Sequence, residues 1–261
     1  MLSDRHRAGL AERLWQAEQT RTACAPLVGD EAVISTTDAY AIQSINLSRR
    51  VELGARIVGR KVGLTSDAIQ RWLGVDRPDF GGLLNTMEIP DGGLLRLDGL
   101  LQPRAEGEIA FVLGDDLIGP GVTVADVLSA TDFVLPAIEV IDSRIANWKI
   151  TFADTVADNA SSGRFVLGTT PVSIEDLELG LVGMALRKRG RVISTGAGAA
   201  CLGNPVHAVV WLANTLGTLG TPLLAGDLVL SGALGPPTPL DPGDWLEVDI
   251  ARIGRCGFRC Q

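Results

Sequence analysis

The fold depends on the stretch QPRAEGEIAFVL, residues 102–113. From Glu108 onward its composition is typical of a β-strand, in which side chains alternate between two faces. Glu106 and Glu108 therefore project from the same face, about 7 Å apart at roughly 3.3 Å of rise per residue. Ile109 and Phe111 take the opposite face, which must belong to the core. We expect the two acids at the mouth of a buried strand.

Paired carboxylates at such a place repel one another and lose hydration, and a hard divalent cation relieves both costs. Taken alone, Glu106 and Glu108 favour the alternative of an edge strand that carries two exposed acids. A second feature favours the metal interpretation: Glu139 lies inside the apolar run LPAIEVIDSR, residues 135–144. An unpaired glutamate is rarely fully buried. The sequence therefore predicts that Glu106, Glu108 and Glu139 hold Mg²⁺ or Mn²⁺.

Other polar residues are candidates by pattern alone. Arg60 and Lys61 end the strand-like run RIVGRKVGL, where a solvated strand end is the alternative. Asp79 lies in the turn PDFGG, where aspartate is common for conformational reasons. The segment DNASSG, residues 158–163, is either a plain helix cap or turn, or a source of donors to a substrate carboxylate.

Two charged residues follow the apolar run that contains Glu139. Asp142 and Arg144 lie just beyond it. We expect them to pair with each other at the end of the strand.

The bulk composition excludes several classes of function. The 261 residues carry a formal net charge of -8, so the basic stripe that nucleic acid requires is not expected. No apolar run approaches the roughly 18 residues of a membrane-spanning helix, and no signal region follows the charged N-terminus. Four cysteines and two histidines make a poor zinc site. A cytoplasmic protein with reduced thiols and no membrane partner is expected.

The order of predicted elements indicates an α+β fold. Residues 1–55 read as a small helical region, and residues 56–261 as a catalytic body of short strands with Gly, Pro and Asp turns. Strict strand–helix alternation, a GxGxxG fingerprint and a Walker loop are absent, so a doubly wound nucleotide-binding sheet is excluded. Capping residues predict helices that begin after Ser3, after Thr36 or Thr37, after Thr123 and after Asn204, the second ending near Gly54 and the last near Gly217.

At these residues the sequence resembles the 2-hydroxypenta-2,4-dienoate hydratase (2-keto-4-pentenoate hydratase) family of the fumarylacetoacetate hydrolase superfamily. The resemblance spans nearly the whole chain. It rests on the segments GRKVGLTS (59–66), GVDRPDFGGLL (74–84), QPRAEGEIAFVL (102–113), LPAIEVIDSRI (135–145), DTVADNASSGRFVLG (154–168), WLANTLG and AGDLVLSGAL. The superfamily's metal pattern, E-x-E followed some thirty residues later by an acid, falls on Glu106, Glu108 and Glu139.

The resemblance implies a mixed β-roll or barrel-like body of the fumarylacetoacetate hydrolase C-terminal type, Mg²⁺ or Mn²⁺, and homo-oligomers such as pentamers or decamers. Lys61 matches the family's active-site lysine and Asp79 its active-site acid. Ser161 matches a substrate-carboxylate contact, and Leu64 and Arg60 are further candidates for substrate binding.

The implied reaction is the hydration of 2-hydroxypenta-2,4-dienoate (2-oxopent-4-enoate) to 4-hydroxy-2-oxopentanoate in the meta-cleavage degradation of aromatic or steroid rings. The enzyme would be a lyase, and association with other meta-cleavage enzymes is a further expectation.

Two alternatives remain open. The first is the related 4-oxalocrotonate (2-oxohex-3-enedioate) decarboxylase branch, which shares the metal motif. Trp148, the QPR of residues 102–104 and Gly163 favour the hydratase branch. The second alternative is a non-catalytic partner subunit of such a complex, which the intact lysine and acids argue against.

Overall fold

The computed structural model describes residues 1–29 and 34–261, and its regular elements alternate irregularly between helix and strand. The helices are α1 (Asp4–Thr20), α2 (Thr36–Glu52), α3 (Asp67–Leu73), α4 (Val124–Ala130), α5 (Phe152–Ala157) and α6 (Pro205–Thr218). The strands are β1 (Ile57–Gly63), β2 (Asp79–Leu84), β3 (Glu88–Ile89), β4 (Leu94–Leu95), β5 (Arg104–Leu113), β6 (Thr131–Ile141), β7 (Ser162–Leu167), β8 (Gly183–Lys188), β9 (Arg191–Ala197), β10 (Leu228–Leu230), β11 (Thr238–Pro239), β12 (Trp245–Ile250) and β13 (Gly254–Cys260).

Two mixed sheets form the body. The larger has the strand order β2-β1-β10-β5-β6-β7-β3, and it curls into a half-barrel. Strand β11 pairs with the N-terminal end of β5. The smaller has the order β4-β13-β12-β8-β9. Strands β1 and β10 are parallel, whereas β5 is antiparallel to both β10 and β6. The α+β, β-roll prediction is confirmed.

The predicted alternation along β5 is present. Ile109 and Phe111 are fully buried in the main core, which also receives side chains from the second sheet. The strand begins at Arg104, four residues before the predicted start, because Arg104 and Ala105 still pair with β6 and β11. Because β5 pairs with β6 from Arg104 onward, Glu106 and Glu108 both lie within the sheet and not at the entrance to the strand.

The two N-terminal helices pack against α5 in a second core cluster. Leu14 of α1 and Ile42 of α2 meet Val156 of α5 there. Ser3 caps α1, as predicted, by accepting a hydrogen bond from the backbone of His6. Because this cluster joins both parts of the chain, the division at residues 55 and 56 stays a prediction.

The predicted start of α2 was wrong by one or two residues. Ser35, not Thr36 or Thr37, accepts the capping hydrogen bond, from the amide of Asp38. The helix ends at Glu52, two residues before Gly54.

The other two helix starts are confirmed by their caps. Thr123 and Asp126 form a reciprocal capping box at α4, and Asn204 caps α6 with Pro205 in the first turn. Helix α6 continues to Thr218, past the predicted end at Gly217. Among the described residues, no helix is long and apolar enough to cross a membrane.

The expected pairing of Asp142 with Arg144 was wrong. Arg144 forms a buried ion pair with Asp158, which also accepts the Arg144 backbone amide at 2.9 Å. Asp142 instead accepts the backbone amides of Leu101 and Gln102. The error arose because neighbours in sequence were preferred, whereas the chain after β6 turns Arg144 toward the DNASSG segment.

Replacing Asp158 with Asn should destabilise the fold by about 3–5 kcal/mol, because it leaves the Arg144 charge buried without a counter-ion. Urea unfolding with a fixed m-value would measure this loss. Asp98→Asn is the matched control, since Asp98 also pairs with an arginine, Arg96, but both side chains are largely exposed. No measurable change is expected there. Equal effects of the two variants would contradict the prediction.

Candidate functional site

The three predicted glutamates converge in the larger sheet. Glu106 of β5 lies directly opposite Glu139 of β6 in the register, and Glu108 lies two residues farther along β5. One carboxylate oxygen from each residue lies within 4.8 Å of the others. Glu108 and Glu139 are buried, and Glu106 is partly buried. Strand alternation and cross-strand pairing therefore create an acidic cluster that is largely withdrawn from water.

Burial and mutual repulsion make this cluster unfavourable while it is ionised. Burial, followed by the charge of Glu139, raises the pKa of Glu106 to about 7. The same causes raise the pKa of Glu108 well above its ordinary value. Within the described residues, Oε1 of Glu139 has no hydrogen-bond partner, and the one cation near Oε2 is the Lys61 ammonium. Buried carboxylate oxygens with so few donors, grouped at this spacing, fit a hard divalent cation.

Lys61 enters the cluster from β1. Its Nζ lies 3.3 Å from Oε2 of Glu139, and both side chains are almost completely buried. Burial lowers the pKa of Lys61, but four nearby carboxylates, with Glu139 the strongest, outweigh it and raise the pKa above the ordinary value. One ammonium offsets only part of the negative charge, which leaves the cluster a strong cation attractor.

Asp79 is the first residue of β2 and pairs with Gly63 of β1. Burial raises its pKa, and the hydroxyl of Thr155 donates to Oδ2 at 3.3 Å. A Cβ on Gly63 would come within 2.2 Å of Asp79 Oδ1 and 3.2 Å of Lys61 Nζ. Only glycine leaves room for Asp79 and Lys61 to approach each other at this point.

A second glycine orients Glu108. The backbone amide of Gly232 donates to Oε2 of Glu108 at 2.8 Å. Gly232 has φ 111°, and a Cβ there would meet the Thr65 side chain at 2.4 Å. Glycine is therefore required both by the backbone conformation and by the close approach. Nothing in the local sequence signalled this contact.

Ser161 reaches the site through a left-handed turn. Residues 159–161 all have positive φ, and the buried Arg144–Asp158 pair holds the base of this turn. The Ser161 hydroxyl lies 3.3 Å from the Thr155 hydroxyl. Thr155 was missed by sequence reasoning, although it lies inside the quoted segment DTVADNASSG. The hydroxyl pair and Asp79 thus form one polar wall.

A cavity of about 390 Å³ joins these groups. Its polar end is lined by Glu106, Glu108, Asp79, Lys61 and the hydroxyls of Thr155 and Ser161. Glu139 is not among the lining residues and adjoins the cavity through its pair with Lys61. The remainder is mainly apolar and is lined by Leu64, Ile69, Ile141, Trp148, Ile150 and Pro236. A smaller cavity of about 50 Å³ lies behind the 158–163 turn and contains none of the three glutamates.

The structure does not bring every predicted residue to this cavity. Leu64 lines it, with φ 57°. Arg60 is not among the lining residues, since it neighbours Lys61 on the same strand and alternation turns it to the opposite face. Its guanidinium donates to the carbonyl of Gly59 and interacts electrostatically with Asp227.

Comparison with known proteins agrees with this geometry. The family model described as fumarylacetoacetate (FAA) hydrolase C-terminal matches residues 70–261. The chain is 53% identical, over 97% of its length and 94% of the relative's, to a 2-keto-4-pentenoate hydratase of Paraburkholderia xenovorans (strain LB400). The chain belongs to the 2-keto-4-pentenoate hydratase family of the fumarylacetoacetate hydrolase superfamily.

Two further comparisons extend this similarity to proteins with other names. A 2-hydroxyhexa-2,4-dienoate hydratase of Comamonas testosteroni is 45% identical over 95% of both chains. Among solved structures, the 4-oxalocrotonate decarboxylase from Pseudomonas putida G7, complexed with magnesium and adipate, has a TM-score of 0.95 and 37% identity. That match covers 100% of this chain and 99% of the other.

Glu108→Gln should lower Mn²⁺ affinity about 100-fold or more, because loss of even an outer partner of a metal ligand costs about 10–100-fold. Calorimetric titration with MnCl₂ would measure it. Without metal, the variant should be at least as resistant to heat as the parent, since one repelling charge is removed. Glu175→Gln, at an exposed position, is the control. Unchanged affinity in Glu108→Gln would exclude this metal site.

Metal affinity should also fall as the pH drops from 8 to 6. Without metal, Glu106 takes up a proton as the pH falls through its pKa of about 7. The cation must then displace that proton. For the same reason, unfolding free energy without metal should decrease as the pH rises from about 4.5 to 7, because the folded state binds the extra proton. Mn²⁺ titrations at pH 6, 7 and 8 test the first effect, and a constant affinity would contradict it.

Proposed function

We propose that this chain is a hydro-lyase that converts 2-hydroxypenta-2,4-dienoate, the enol form of 2-keto-4-pentenoate, into 4-hydroxy-2-oxopentanoate. The observation that carries the proposal is the buried Glu106–Glu108–Glu139 cluster facing Lys61, in a chain 53% identical to a named hydratase over nearly its whole length. The pathway would be the meta-cleavage degradation of aromatic or steroid rings.

Glu106, Glu108 and Glu139 are the residues that would hold the cation, Mg²⁺ or Mn²⁺. The magnesium in the decarboxylase relative and the unpartnered Oε1 of Glu139 support this choice. When bound, such a cation supplies a Lewis acid that polarises an oxygen of the substrate. Attraction of the three carboxylates to the cation would then outweigh the repulsion among them.

The reaction protonates two carbons, C5 and C3, and the two protons are balanced by one lost from the 2-hydroxyl and one lost from the added water. The 2-hydroxyl proton leaves and C5 gains a proton, which gives a conjugated 2-oxo-3-enoate. The oxygen of water then adds at C4, and a proton adds at C3. A group that exchanges a proton near neutral pH must therefore lie beside the carbon chain, and a fixed positive charge must stabilise the electron density that develops on the 2-oxygen.

Lys61 and Asp79 suit different parts of that chemistry. Four carboxylates keep Lys61 protonated, so it is a poor base and serves as the fixed positive charge. Asp79 has a raised pKa and, among the described residues, a buried Oδ1 without a hydrogen-bond partner. It can therefore hold a proton and release it to the substrate. We assign the proton transfers to Asp79 and the charge stabilisation to Lys61.

Substrate contacts follow from the walls of the cavity. Ser161 and Thr155 offer hydroxyl donors beside Asp79, and Leu64 contributes an apolar surface. Arg60 is not retained as a substrate contact. The four cysteines are free thiols, which supports the cytoplasm as the proposed location.

Asp79→Asn should lower kcat by about 10²–10⁴-fold, the range for losing a general acid–base group. Loss of the ultraviolet absorbance of 2-hydroxypenta-2,4-dienoate measures the rate. Mn²⁺ affinity should stay within a few fold, because Asp79 is not a proposed ligand. Asp176→Asn, at an exposed position, provides the control. Full activity of Asp79→Asn would refute the role of Asp79 in proton transfer. Full activity of the EDTA-treated parent protein would refute the requirement for a metal.

The same protein distinguishes the two branches of the family. Incubation with 2-oxohex-3-enedioate should release no carbon dioxide. Release of carbon dioxide, without hydration of 2-hydroxypenta-2,4-dienoate, would assign the chain to the decarboxylase branch instead. Absence of both reactions in metal-loaded protein would favour the non-catalytic partner subunit.

A homo-oligomer, a pentamer or decamer, is the proposed assembly, and association with other meta-cleavage enzymes is proposed as well. Several large apolar side chains are more than half exposed in the single chain, which supports a covered surface. They are Leu53, Leu94, Ile118, Leu181, Leu219 and Leu224.

A further inference from the structure

Arg104 is a cation of the cavity that forms no ion pair among the described residues, although its charge acts on Glu106. It lines the cavity from the first position of β5 and shares a strand face with Glu106. Throughout residues 1–29 and 34–261, its guanidinium has no salt-bridge or hydrogen-bond partner. Lys61, the other basic side chain that lines the cavity, is paired with Glu139. Arg104 therefore presents an unused set of N–H donors to the cavity.

The Arg104 guanidinium is oriented by an aromatic platform. It lies 4.8 Å from the ring centroid of Trp148. A cation stacked in this way keeps its N–H edge free to donate. The indole Nε1 of Trp148 donates to the carbonyl of Gln102 at 3.1 Å, and Gln102 Nε2 donates to the carbonyl of Ser143 at 2.9 Å. The platform is thus tied to the residues just before β5 and just after β6, the two strands that carry the glutamates.

The backbone that presents the platform is unusual. Asn147 and Trp148 both have positive φ, 59° and 55°. Tryptophan is rarely found in this conformation, which persists only where the surroundings impose it. Trp148 is held over Arg104 by these contacts rather than by local preference.

Strand register places Arg104 at the opposite end of the glutamate cluster from Lys61. Lys61 is level with Leu230, which is level with Ala110 of β5. Arg104 is level with Ile141, two residues beyond the Glu106–Glu139 pair. The end of the cavity next to Glu106 is therefore the end at which Arg104 can meet a substrate carboxylate.

We propose that Arg104 binds the C1 carboxylate of the substrate through its N–H edge, and that Trp148 is the positioning residue that holds Arg104 in place. The inference rests on the proposed function for the identity of the substrate. Charge supports it, since Lys61 and Arg104 are the basic side chains that line the cavity and Lys61 is already paired with Glu139. A guanidinium suits a carboxylate because it can donate two parallel hydrogen bonds.

Arg104→Met should raise KM for 2-hydroxypenta-2,4-dienoate about 10–100-fold, the equivalent of a lost hydrogen bond to a charged group, with kcat within about threefold. Pyruvate, which presents the same carboxylate and 2-oxygen, is the binding probe. Its calorimetric affinity for the Mn²⁺-loaded protein should fall by a similar factor while Mn²⁺ affinity is retained. Arg104→Lys should recover part of the loss. Arg191→Met, at an exposed position, should change neither quantity.

Trp148→Leu should raise KM by a smaller factor, and Trp148→Phe, which keeps a ring, should recover part of it. In the Arg104→Met background, Trp148→Leu should have no further effect on KM, because its action passes through Arg104. Additive effects would show that Trp148 acts on its own.

Three results would overturn the role of Arg104. The first is unchanged KM and pyruvate affinity in Arg104→Met. The second is an increase in KM in Ser161→Ala that Arg104→Met does not show, which would assign the carboxylate to Ser161. The third is loss of affinity for adipate but not for pyruvate, which would place Arg104 at a distal carboxylate. Failure of the parent protein to hydrate the dienoate, with pyruvate affinity still dependent on Arg104, would reject the proposed function and keep the carboxylate site.

Discussion

Repulsion between buried carboxylates is the constraint on which the site depends. Glu106 and Glu139 lie directly opposite each other across β5 and β6, an arrangement that destabilises a sheet when both residues are charged. Burial adds a further cost, which the raised pKa values of Glu106 and Glu108 record. Hydrophobic residues would pack there more favourably. A sheet that keeps three glutamates at this point is therefore organised around a cation and not around its own stability.

The surrounding elements fix the groups that face this cluster. Strand β1 delivers Lys61 to Glu139, and Gly63 leaves the space in which Asp79 approaches. The Arg144–Asp158 pair, itself buried, holds the left-handed turn that presents Ser161. These contacts come from strands and from a turn with buried supports, so the polar groups are oriented before substrate arrives.

Local patterns in the sequence predicted the parts of the site that lie on one strand. Alternation placed Glu106 and Glu108 on one face, and the apolar run around Glu139 predicted its burial. The same rule, applied more strictly, would have excluded Arg60, since residues 60 and 61 cannot face the same side of β1. The Asp158 partner of Arg144, the Gly232 amide and the Trp148 platform depend on chain segments that meet only in the folded protein. No periodicity in the sequence carries that information.

The fold and the metal cluster do not by themselves select a reaction. A decarboxylase with 37% identity superimposes on this chain with a TM-score of 0.95, whereas the named relatives at 45–53% identity are hydratases. Selection must therefore lie in groups that differ around a common site. A shared cation can stabilise charge on the 2-oxygen in either reaction, but only hydration requires protons to be delivered along the carbon chain. The delivery of protons to the carbon chain, and not the number of metal ligands, is then what distinguishes hydration from decarboxylation.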